Sequence, residues 1–145
     1  VTYRAAEVRF YVDADILGLA QVLGRLRADV TYPGDPGATI KRLVRPACPI
    51  KDPGTKDTEW IGPVSARGWL IFTRDGQIQA HRSELASVRE NSARMVALST
   101  EHARSTFDQL EIVMCHWRRI LDLLDQPGPF IYVASRTSLR RVSLD

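Results

Sequence analysis

The chain has 145 residues, 44% of them hydrophobic and 26% charged, with a formal net charge of +3. That length buries roughly 70% of the surface an unfolded chain exposes, enough for a core of its own, and no apolar run approaches the roughly 20 residues that span a bilayer. Two cysteines, Cys48 and Cys115, are too few for a disulfide framework at this size.

Residues 1–145 read as one domain, and VTYRAAEVRF runs into a strand rather than a signal peptide. The expected compartment is cytoplasmic, with no membrane partner. Seventeen of the 20 basic residues are arginine, and the three lysines are Lys41, Lys51 and Lys56.

Arg9 to Val12 is the first predicted strand. After Asp15, the residues Ile16, Leu19, Ala20, Leu23 and Leu26 recur at helical spacing. A short strand follows at Ala28 to Tyr32, so the opening unit is βαβ, which favours a parallel sheet. Residues 33–56 form a long loop rich in proline and glycine, and loops of that length inside a domain are functional or disordered.

Asp57 to Arg67 is predicted helical, with a fresh helix start at Pro63. Gly68 caps it, and Trp69 to Thr73 is a buried strand. Ser83 fits the N-cap of a helix through Glu90, and Ala93 to Leu98 is a further strand. A long amphipathic helix then begins near Ser99. Its apolar stripe is Ala103, Phe107, Leu110, Met114, Trp117, Leu121 and Leu124, with Met and Trp in the core and Cys115 a small core residue. QPGP ends that helix, FIYVA adds a strand, and the tail SLRRVSLD supplies an edge strand. The fold class is α/β, three layers, with a mainly parallel sheet of four to five strands flanked by helices.

Two buried strands each deliver an aspartate to their C-terminal end, Asp13 after VRFYV and Asp75 after GWLIFTR. In open α/β sheets ligands bind at those ends. Asp15 follows Asp13 closely, and Asp57 and Glu59 open a helix after the long loop. Two carboxylates about 4 Å apart repel by roughly 4 kcal/mol at an effective dielectric of 20. A divalent cation compensates such a cluster unless one acid takes up a proton. Oxygen ligands without neighbouring His or Cys point to Mg²⁺ or Mn²⁺ rather than zinc. Such ions activate water for attack on a phosphodiester. Simpler roles exist for several of these acids. Asp15 suits an N-cap, Asp57 and Glu59 suit the first turn of a helix, and Asp75 before Gly76 suits a turn. The segment DADILG lacks the glycines of a phosphate-binding loop, which argues against a nucleotide-binding Rossmann protein.

The segments FYVDADILG, DTEWI and GWLIFTRDGQI, with HRSELASVRE, MVAL and PGPFIYVAS after them, together resemble the PIN-like ribonuclease domains related to VapC-type toxins. The resemblance implies that Asp13, Asp57 and Asp75 ligate Mg²⁺ or Mn²⁺, with Asp15 and Glu59 as further candidates and Thr73 supporting the site. Asp15 stands where relatives often carry Asn or another polar residue. Lys56, Arg74 and Arg82 are candidates to hold RNA phosphate, with ordinary surface charges as the alternative. The implied activity is RNA phosphodiester hydrolysis by the toxin of a type II toxin–antitoxin pair. Its expected partners are RNA and a cognate antitoxin protein, and a homodimer is compatible with it. The alternative is a catalytically silent PIN-like module that binds RNA or a protein.

Overall fold

The computed structural model describes residues 1–74 and 82–145, without the side chains of Arg82 and Ser83. Its elements in chain order are β1 (Arg4–Ala5), β2 (Phe10–Val12), a 3-10 turn (Ala14–Ile16), α1 (Leu17–Leu26), β3 (Val30–Thr31), β4 (Ala38–Ile40) and β5 (Leu43–Arg45). There follow α2 (Asp57–Ala66), β6 (Leu70–Thr73), α3 (Arg82–Glu90), β7 (Arg94–Leu98), α4 (Thr106–Cys115), α5 (Trp117–Leu123), β8 (Phe130–Ala134) and β9 (Leu139–Arg141).

The main sheet has six strands in the order β3-β2-β6-β7-β8-β9. Every neighbouring pair is parallel except β8 and β9, which are antiparallel. Side chains alternate across each strand, and this separates two cores. Phe10, Val12, Leu70, Phe72, Val96 and Leu98 pack with residues of α1, α4 and α5. Tyr11, Ile71, Met95 and Ala97 pack instead with Trp60, Ile61 and Val64 of α2 and with Leu85 and Val88 of α3. Strands buried on both faces read as continuous apolar runs, which is why FYV and LIF are uniformly hydrophobic, the latter ending at the buried polar Thr73.

Several local expectations are corrected. The segment 33–56 carries the hairpin β4–β5, which pairs with β1 in a separate three-stranded sheet. Arg45 holds this hairpin to the body. Its Nε donates to Asp35 Oδ2 at 2.7 Å, and its Nη1 donates to the carbonyls of Gly24 and Arg27 at 3.0 Å, so it satisfies the end of α1. Helix α2 passes through Pro63 without a fresh start, because Trp60, Ile61 and Val64 anchor its buried face on both sides of the missing hydrogen bond. Helix α3 begins at Arg82, which leaves Ser83 inside the first turn rather than at the cap.

The predicted long helix is two, α4 and α5, meeting at His116. Its core stripe also differs from the apolar one. Phe107 is 76% exposed and Met114 67%, while Gln109, Ile112, Val113, His116, Ile120 and Leu123 are buried. Trp117 is half-buried against the core, and Cys115 is exposed whereas Cys48 is buried. Among the described residues no helix is long and apolar enough to cross a membrane.

Candidate active site

The parallel pairing of β2 with β6 sets the site. Val12 lies opposite Phe72, and the next amide, Asp13 N–H, donates to Phe72 O at 2.9 Å. This carries the ends of both strands to one place and sets Asp13 beside Thr73, sixty residues away in sequence. The chain then turns sharply, because the Asp13 carboxylate caps the 3-10 turn by accepting from Ala14 N–H at 2.6 Å. That turn brings Asp15 back towards β6, where its Oδ2 accepts from Arg74 N–H at 3.1 Å.

Thr73 Oγ1 lies 3.1 Å from Asp13 Oδ2 and 3.1 Å from Asp15 Oδ2. A hydroxyl has one proton, so it can donate to only one carboxylate at a time. The second contact is satisfied when one acid is protonated. Asp13 has the chemistry for that role. Burial first, then the charges of Asp15 and Asp57, push its carboxyl up to about 7, against the opposing hydrogen bonds from Ala14 and Thr73.

Asp57 enters from the first turn of α2, where its Oδ1 accepts from Trp60 Nε1 at 2.9 Å. Trp60 is in turn fixed against Tyr11, with ring centroids 4.9 Å apart. Burial and the nearby Asp13, Cys48 and Asp57 raise the Tyr11 phenol well above its ordinary range, so it stays neutral.

Asp13, Asp15, Asp57 and Thr73 line one pocket of about 190 Å³, and Glu84 of α3 lines it too. Sequence reasoning missed Glu84. The signal was present, because Glu84 stands four residues before the buried Val88 and so shares the inward face of α3.

Glu59 is exposed and does not line the pocket, although it shares the first turn of α2 with Asp57. Lys56 is exposed and Arg74 half-buried. Asp75 and the side chain of Arg82 lie outside the described residues.

Among the described residues the pocket's polar side chains are four carboxylates, the hydroxyls of Thr55 and Thr73 and the Trp60 indole, with neither His nor Cys. That donor set suits a hard divalent cation. Burial raises the Asp13 carboxyl most, and the neighbouring charges of Asp15 and Asp57, which raise it further, are ones a cation relieves. Among the described residues, no group of three or more His, Cys, Asp or Glu side chains stands close enough to hold an ion. The acids therefore fit a metal by chemistry, as a pocket of carboxylates rather than a closed cage.

No curated protein and no solved structure gave a match. The family model of the PIN-like domain matches residues 8–100. That span takes in Asp13, Asp15, Asp57, Thr73 and Glu84, together with the four parallel-paired strands β2, β3, β6 and β7. The match covers more than half of the chain, which therefore belongs to the PIN-like domain family.

Proposed function

We propose that this protein is a metal-dependent endoribonuclease. PIN-like domains are generally nucleases, that is, hydrolases of nucleic acids. The observation that carries the finer reading is the joining of Asp13, Asp15, Asp57 and Glu84, from separate elements, in one pocket at the C-terminal ends of β2 and β6. Asp13, Asp15, Asp57 and Glu84 would hold Mg²⁺ or Mn²⁺, joined by Asp75 on the strength of the sequence resemblance. When bound, the metal supplies a polarised water and charge for the leaving oxygen.

The chain's own residues do the rest. Thr73 orients the Asp13 and Asp15 carboxylates through its single hydroxyl. Trp60 fixes Asp57. Asp13, whose carboxyl is raised to about 7 by burial and by Asp15 and Asp57, would be held as the carboxylate by a bound cation. Lys56 and Arg74, which adjoin Asp57 and Thr73 in sequence, would hold the flanking phosphates, with Arg82 added on the strength of the sequence resemblance.

Resemblance to VapC-type toxins extends the reading to the toxin of a type II pair acting in the cytoplasm, with a cognate antitoxin as its protein partner. The test is cleavage of RNA with Mn²⁺ by the wild type and by Asp13→Asn, Asp57→Asn and Asp75→Asn. We expect each variant to lose at least about a hundredfold in rate with an unchanged circular dichroism spectrum. Wild-type rates in all three would refute the assignment.

A second reading, a catalytically silent module that binds RNA or a protein, draws on the absence of a tight three-acid group among the described residues. It predicts no heat of Mn²⁺ binding by calorimetry at millimolar metal, whereas the nuclease reading predicts a heat that Asp13→Asn removes.

A further inference from the structure

A second cavity lies at the other end of the sheet. It measures about 490 Å³ and opens between the three-stranded sheet, the end of α1 and the starts of β2 and β3. Four cations line it, Arg4, Arg9, Arg27 and Lys41, against two carboxylates, Glu7 and Asp29, for a net +2.

Asp29 organises two of those cations. Arg9 donates to its Oδ2 through Nε at 3.2 Å and Nη2 at 2.8 Å. Arg27 donates through Nε to Oδ1 and through Nη2 to Oδ2, both at 2.9 Å. Arg27 is also stacked over the Trp117 ring, 4.7 Å from its centroid.

The carboxylate is saturated and only 14% exposed, while the two guanidinium side chains remain 39% and 37% exposed. Neither Nη1 group makes a hydrogen bond among the described residues. Two guanidiniums fixed side by side with spare donors are preorganised for phosphate.

Arg4 and Lys41 add charge with no ion pair among the described residues. Lys41 and Arg42 form the two-residue turn of the β4–β5 hairpin at φ 49° and 71°. Both positions favour Asn or Gly. A cation is held at the tip of the turn against local preference.

We propose that this cleft is a second RNA-binding site, holding the sugar–phosphate backbone away from the carboxylate pocket. The inference rests on the reading of the substrate as RNA. Arg9 precedes and Asp13 follows the three residues of β2, so the two sites stand roughly 13 Å apart along the strand. That straight line runs along a fully buried strand, so RNA that reaches both sites follows a longer path over the surface, beyond the span of a four-nucleotide substrate. Long substrates engage both sites, and substrates of a few nucleotides engage only the pocket.

The test uses Arg4→Gln/Lys41→Asn, which removes two charges outside the Asp29 triad and places at position 41 a residue suited to its backbone. Binding is read by fluorescence anisotropy of a labelled oligouridine of about 20 nucleotides, longer than the spacing of the two sites. Asp13→Asn serves as the uncut background. We expect the double change to weaken that binding about tenfold at low salt and to flatten the salt dependence by about 1.4, or 0.7 per lost phosphate contact. Cleavage of a four-nucleotide substrate by the double variant, in otherwise wild-type protein, should be unchanged.

Equal affinity and equal salt slope would overturn the inference while leaving wild-type cleavage, and so the nuclease reading, in place. Displacement of the RNA by polyglutamate at equal charge would assign the cleft to an acidic protein and also overturn it. A wild type that neither binds nor cuts RNA would overturn the reading on which the inference rests.

Discussion

Asp13 carries two opposed roles, and the opposition is measurable. Its carboxyl titrates at about 7 in the folded protein, above the ordinary carboxylate value, because it is buried beside Asp15 and Asp57. A group with a raised folded pKa contributes stability fully below its unfolded pKa, about 4, and loses that contribution as pH rises through about 7. At pH 8 the charged Asp13 therefore works against folding. Asp13→Asn keeps an acceptor for Ala14 N–H and can donate to Thr73 Oγ1, yet does not titrate. The variant should melt higher than the wild type at pH 8 by roughly 5 °C, for about 1.5 kcal/mol. The gap should close on acidification to about pH 4, and Mn²⁺ should narrow it at pH 8. A gap independent of pH in differential scanning calorimetry would contradict this account. Asp13 was legible in the sequence because a charge that ends an apolar run stands out. Glu84 was not, since its only mark is a helical phase shared with Val88.

At the scale of elements, the apolar strands were readable and the helical stripe was not. Strands such as FYV and LIFT are buried on both faces, so composition alone reveals them. In α4 and α5 the inward stripe contains Gln109 and His116, both satisfied by backbone. Gln109 Nε2 donates to Ala103 O at 3.2 Å, and His116 Nε2 lies 2.7 Å from Ser135 O. Apolar periodicity passes over such residues and selects the neighbouring stripe through Phe107 and Met114. The hairpin β4–β5 was hidden for a different reason, since its strands are three residues long and its turn, Lys41-Arg42, lacks the Asn-Gly signal. The two stripes predict different mutational costs. Ile112→Ala, which opens a cavity under the sheet, should cost about 2–5 kcal/mol in urea denaturation. Met114→Gln, on the exposed face, should change stability by no more than about 0.5 kcal/mol. Comparable losses at both positions would put Met114 in a core that the structure denies it.

On the scale of the whole molecule, the two sheets are joined in part through the buried Arg45–Asp35 pair. The three-stranded sheet has strands of two and three residues, too small for independent stability. One anchor to the body is Arg45, buried with Asp35 and bonded to the carbonyls of Gly24 and Arg27. Asp35 also accepts from Thr31 Oγ1 at 2.8 Å and from Gly37 N–H at 2.9 Å, so β3 and the hairpin share one carboxylate. Removing only the cation leaves that carboxylate buried without its counter-charge, a loss of about 3–5 kcal/mol for a buried pair. Arg45→Met should therefore release the hairpin before the main sheet. In hydrogen exchange, the Ala6 amide, which donates to Val44 O, should lose protection by a factor of about a hundred or more. The Asp13 amide, which donates to Phe72 O between β2 and β6, should keep most of its protection. Equal loss at both amides would mean that the two sheets unfold as one unit and that Arg45 stabilises the whole molecule rather than the hairpin. Because Lys41 sits on that hairpin, selective release should also weaken binding of long oligouridine while leaving cleavage of a four-nucleotide substrate intact, which links the anchor at Arg45 to the cleft it holds in shape.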